Sequence, residues 1–120
     1  MLTEVTLFGD HGILPYAGTV DAVLLIDDER WMVDFKTSKD IYPEAALQLA
    51  ALNACEIAII EGKEEDFDPC DRLAVVRIGK DGEFDVKEVY EESACLEAFE
   101  AALELWTWKH DVNPYKETEG

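Results

Sequence analysis

Two carboxylates, an ammonium group and an amide recur at intervals that neighbouring strands and a helix can bring together. Gly18-Thr19-Val20-Asp21 is followed thirteen residues on by Asp34-Phe35-Lys36-Thr37, and then by Gln48 inside an apolar helical run. Side chains alternate faces along a strand, so Asp34 and Lys36 share one face and Phe35 points to the other. If Asp27 to Arg30 close a hairpin with two or four loop residues, Ile26 falls opposite Trp31, Asp21 falls opposite Lys36, and Asp34 is the diagonal neighbour. An odd loop length would separate them. Direct cross-strand neighbours lie roughly 5 Å apart and diagonal ones roughly 7 Å, close enough for two carboxylates to share a divalent ion.

Two carboxylates on an otherwise apolar sheet repel each other and lose hydration, unless a cation or a proton compensates. A hard metal ion with oxygen ligands, beside Lys36, is one compensation. The plainer alternative is a cross-strand salt bridge between Asp21 and Lys36, with Asp34 in solvent. Gly18 would let a backbone or phosphate approach closely, Gln48 interrupts an apolar helix, and Glu4 can add a third carboxylate from the first strand.

The elements that must position these groups are read from periodicity. Residues 3 to 8 alternate polar and apolar and predict a first strand, followed by turn chemistry at Gly9-Asp10-His11-Gly12. Tyr16 to Ile26 predicts a second strand whose apolar end, Ala22 to Ile26, suits burial on both faces. Trp31 to Lys36 returns as a third. Tyr42-Pro43-Glu44 opens a helix that is apolar almost all round and is expected to run to Glu61-Gly62-Lys63, followed by an acidic loop from Glu64 to Asp71. Arg72 to Ile78 and Glu83 to Tyr90 form a strand pair about the Asp81-Gly82 turn. From Glu92 to His110 a second helix is amphipathic, with Cys95, Phe99, Leu103 and Trp106 facing the core and Trp108 open. A polar tail over 111 to 120 is expected to fray.

With these elements in place, the ordered set Glu4, Gly18, Asp21, Asp34, Lys36 and Gln48 resembles the PD-(D/E)XK nuclease superfamily, in its RecB-like and phage recombination exonuclease branch. The resemblance covers about residues 4 to 56. It implies a restriction-endonuclease-like core lacking the usual first helix, and a metal-dependent DNA nuclease, an exonuclease of recombination, repair or phage DNA processing. The residues matching Asp21 and Asp34, with the carbonyl at Phe35, would hold Mg²⁺ or Mn²⁺, and Lys36 matches the catalytic lysine. Glu4 and Gln48 would support them, while Gly18, Thr37 and Lys39 would lie along the substrate. The residue four after Gln48 is Leu52, where the branch has Tyr. The four-cysteine iron-sulfur cluster of some relatives is not expected from three scattered cysteines.

Length and composition bound the rest. A chain of 120 residues with 48% hydrophobic residues fits one α/β domain over 1 to 110, with a central mixed sheet of about five strands flanked by helices. The formal charge of −18, from 28 acids against 10 bases, repels polyanions at long range. A DNA partner therefore implies a partner subunit or second copy supplying basic surface. The rival reading is a nuclease-fold interaction protein, catalytically weak or inactive, whose acidic surface binds a protein or mimics DNA. Cys55, Cys70 and Cys95 show no C-x-x-C pair and suit a reducing cytoplasm, with Cys55 and Cys95 in the core and Cys70 in a loop. His11 and His110 read as solvated residues. No signal peptide or membrane-spanning run is visible.

Overall fold

The computed structural model describes residues 2–10 and 15–111. The chain order is β1 (Leu2–Gly9), β2 (Tyr16–Ile26), β3 (Glu29–Lys36), α1 (Pro43–Asn53), β4 (Ile57–Ile60), β5 (Lys63–Asp66), β6 (Arg72–Ile78), β7 (Phe84–Glu88) and α2 (Glu92–Asp111). The strands form one sheet in the order β5-β4-β1-β2-β3-β6-β7. Only β3 and β6 pair in parallel, joined by a crossover through α1, and the other pairs are antiparallel. The fold is thus mixed α/β, with seven strands where about five were expected.

The two extra strands come from the stretch expected to finish α1 and enter an acidic loop. Helix α1 stops at Asn53, and the apolar run Ile57–Ile60 pairs with Lys63–Asp66 across a two-residue turn. In that turn Glu61 and Gly62 have φ of 51° and 78°, the doubly left-handed geometry that matches the natural twist of a hairpin. The residue Gly62 therefore turns a strand and does not stop a helix. All four residues of β5 are exposed, and their charges guard the edge of the sheet against further pairing.

The buried side chain of Asn53 ties the end of α1 to its surroundings. Its amide donates to the Cys70 carbonyl at 3.1 Å and to Glu92 Oε1 at 2.6 Å, and its carbonyl oxygen accepts from the Cys70 N–H at 2.6 Å. The segment leading into β6 and the first turn of α2 are thereby fastened to α1.

Both helices lie on one face of the sheet, α1 against β1, β2, β3 and β6, and α2 against α1. Leu7, Val20, Met32, Leu49, Leu73 and Val75 form the centre of the core. Helix α2 buries no residue completely. Trp106, expected in the core, is 49% exposed and stacks on His110, with ring centroids 3.9 Å apart, because this end of α2 runs beyond the core cluster. His110 sits in the last helical turn and is exposed, as expected. Cys55 is buried as expected, Cys95 is half-buried against the core, and Cys70 is buried despite its loop position. His11 and the tail over 112–120 lie outside the described residues.

Candidate functional site

Strand β2 changes phase where it passes the candidate site. Val20 and Val23 are three residues apart and both enter the core, as do Val5 and, in part, Leu2 opposite them. Strict alternation cannot place residues three apart on one face. The break falls at Glu4 and Asp21, which lie level between the paired residues Thr3↔Ala22 and Val5↔Val20, and Glu4 takes a left-handed φ of 51° there.

The β2–β3 hairpin turns on Asp27 and Asp28 alone, both with positive φ, so Ile26 pairs with Glu29 and Ala22 with Val33. The register is thus two residues away from the expected one, since a two-residue turn sets Ile26 against Glu29 and only a four-residue turn would set it against Trp31. Counting on, Asp21 comes level with Asp34 instead of Lys36. Pairing of β2 with β3 ends at Ala22↔Val33, and beyond it the Asp21 side chain takes the place of a backbone partner: the Phe35 N–H donates to Asp21 Oδ2 at 2.8 Å. The N–H and C=O of one strand residue project to the same edge, so the Phe35 carbonyl leaves β3 on the Asp21 side.

Lys36 Nζ lies 2.9 Å from Asp34 Oδ2, so the ion pair is formed along β3 and not across to Asp21. The side chains of Asp34 and Lys36 are 18% and 36% exposed. Burial pushes the Asp34 carboxyl above the usual range, Lys36 opposes this, and Asp21 adds to it. Two carboxylates that raise one another's hold on a proton are relieved either by that proton or by a bound cation in its place. The donor set is two carboxylates and a backbone carbonyl, all hard oxygen, which suits Mg²⁺ or Mn²⁺ with water completing the shell. The chemistry of these residues therefore fits the metal.

Gln48 stands exposed on α1 between two cavities. One of about 310 Å³ is lined by Lys36, Ser38, Tyr42, Glu44, Ala45 and Gln48. The other, of about 300 Å³, lies toward Tyr16, Gly18, Thr19, Leu52 and Phe99. Lys36 and Gly18 thus line two cavities that share Gln48, and the carboxylates meet the first through the ion pair of Lys36 with Asp34. Ser38 and Tyr42 join the first cavity without having been singled out in the sequence. Their only signal was position, in the loop between Lys36 and the Pro43 that opens α1. Thr37 and Lys39 are exposed on that loop and line neither cavity.

Two expected members have other settings. Glu4 lines a separate cavity with Ile59, Ile60 and Glu61, and among the described residues no three acidic, histidine or cysteine side chains gather closely enough to share an ion. Gly18 has a packing reason: a Cβ built on it would stand 2.8 Å from Leu52 Cδ2, so the missing side chain lets α1 settle onto β2. Arg30 lies at the far end of β3, where its guanidinium donates to the Asp68 carbonyl at 2.7 Å and rests over the Phe67 ring. It is removed from the site.

No family model matches this chain, and no curated protein matches it. Among solved structures, that of SSO0001 is similar, with a TM-score of 0.51 and 19% identity. The match covers 97% of this chain and 61% of the SSO0001 chain, so this chain spans less than two thirds of that protein. The likeness is one of fold. Among the described residues no helix is long and apolar enough to cross a membrane.

Proposed function

We propose that this chain is a metal-dependent DNA nuclease domain of the RecB-like PD-(D/E)XK type, with a restriction-endonuclease-like core and exonuclease action on phosphodiester bonds. One observation carries the reading. Asp21 and Asp34 come level at the point where β2 and β3 part, with Lys36 on Asp34 and Gln48 across a concave surface. Two half-buried carboxylates whose charge Lys36 offsets only in part are costly for a purely structural purpose.

Asp21, Asp34 and the Phe35 carbonyl would hold Mg²⁺ or Mn²⁺. When bound, such an ion supplies Lewis acidity at the scissile phosphate and lowers the pKa of a water. Lys36, released from its ion pair with Asp34, would orient the attacking water and offset negative charge as it builds on the phosphoryl oxygens. Gln48, with two amide donors and a carbonyl acceptor, would position the substrate strand. Lys36 and Lys39 are thin cationic support for gripping a polyanion, so a partner subunit supplying basic surface belongs to the proposal.

The test is digestion of linear DNA with Mg²⁺ or Mn²⁺, for the parent protein and for Asp34→Ala and Lys36→Ala variants shown to be folded. The expected loss is at least a hundredfold in each. Cleavage unchanged by both substitutions would overturn the proposal. A folded parent protein that shows no metal affinity by calorimetry, and binds no DNA at low salt, would favour the acidic interaction protein instead.

A further inference from the structure

The described helices cover one face of the sheet. Alternation and register place Phe8, Ile26, Phe35, Ile78, Phe84 and Val86 on the other, each opposite in sense to a neighbour that enters the core or the helix side. These six are between 42% and 68% exposed. Monomeric soluble proteins rarely leave so continuous an apolar surface open to water. The near-continuous apolar runs of β2 and β6 suit strands covered on both faces.

The charges around this face are one-sided. Asp27, Asp28 and Glu29 border it at the β2–β3 turn, Glu64 and Asp66 on β5 pair with Ile59 and Ile57, and Glu88 lies at the β7 side. Of the bases at this border, Lys80 shares the β6–β7 turn with Asp81 and Glu83, and Arg72 is engaged by Glu29 at 2.7 Å and Glu88 at 2.9 Å. A second copy would bring the same acids against themselves, between chains of −18 each. An occupant with bases flanking an apolar stripe would satisfy both the surface and its border.

We propose that this sheet face docks a basic amphipathic helix of a partner protein. The inference is independent of nuclease activity. The probe is a helical peptide of about 18 residues with leucines on one face and lysines on the other, set against a counterpart with glutamates for lysines. Methyl NMR of the protein is expected to show shifts at Ile26, Ile78 and Val86, with Leu49 in the core unmoved. The double variant Phe84→Ser/Val86→Ser, altered where side chains are more than half exposed, is expected to bind the lysine peptide at least tenfold more weakly. The glutamate peptide should not bind. Equal binding by the double variant would reduce the interaction to charge alone and overturn the proposal, as would shifts confined elsewhere, or no binding. Sedimentation is expected to show a monomer; a dimer broken by the double variant would make a second copy the occupant and overturn it as well.

Discussion

Gly18 offers the sharpest separation of packing from chemistry at this site. A Cβ at position 18 would meet Leu52 Cδ2 at 2.8 Å, about an ångström inside an ordinary carbon–carbon contact. Leu52 is half-buried against the core and its side-chain end must shift to admit a Cβ, so Gly18→Ala should incur an overpacking cost of about 1–3 kcal/mol. Replacing a strand glycine recovers roughly 0.5–1 kcal/mol of backbone entropy, leaving a net loss of about 0–2.5 kcal/mol. In a Leu52→Ala background the clash is gone and the same substitution should be neutral or stabilising. The double-mutant cycle should therefore return a coupling of about 1–3 kcal/mol. Unfolding entropy scales with length, so each 1 kcal/mol appears as about 4 °C in Tm for a domain of this size. Urea and thermal unfolding of the four proteins provide the measurement. An equal cost in both backgrounds would refute the packing account. Stability restored in the double variant with DNA cleavage still lost would show that position 18 also meets substrate.

Three further outcomes follow from the same contacts. Mg²⁺ affinity measured by calorimetry should rise with pH through the elevated Asp34 range, because only the ionised carboxylate is a ligand, and the Asp34 contribution to stability without metal should fall over the same window, since the folded state holds that proton more tightly than the unfolded chain. A flat affinity profile would remove Asp34 from the metal site. Asn53→Ala deletes three hydrogen bonds and strands the buried Cys70 N–H, so a loss of about 2–4 kcal/mol is expected in urea unfolding, and a loss below about 0.5 would show the network to be incidental. Burial pushes the Cys55 thiol up to about 11 and raises Cys70 as well, so a colourimetric thiol reagent at pH 8 should react readily in the native protein only with half-buried Cys95, and with all three cysteines after unfolding.

Parity made part of the site legible. A two-residue period keeps Asp34 and Lys36 on one face of β3 whatever the hairpin length, so their association could be read from spacing alone. The partner of Asp21 could not. It depends on whether the Asp27–Arg30 segment spends two residues or four on the turn, and aspartates tolerate the left-handed backbone that the shorter turn demands. The Ile57–Ile60 run shows the same limit, because a short apolar stretch after a helix continues it or begins a strand with equal local comfort. Pairing with β1 and the Glu61-Gly62 turn decided for the strand.

From its residues alone the chain determined an α/β fold, an acidic surface and the company kept by Asp34 and Lys36, since these depend on composition and on periods of two and 3.6. Only the tertiary structure decided that Asp21 faces Asp34, that Glu4 lies apart, that Leu52 explains Gly18 and that one broad apolar face lies outside the cover of the described helices. Those outcomes turn on strand register, a left-handed residue within a strand and side chains meeting across long stretches of sequence. Such properties come from packing and are not written into any local run of residues.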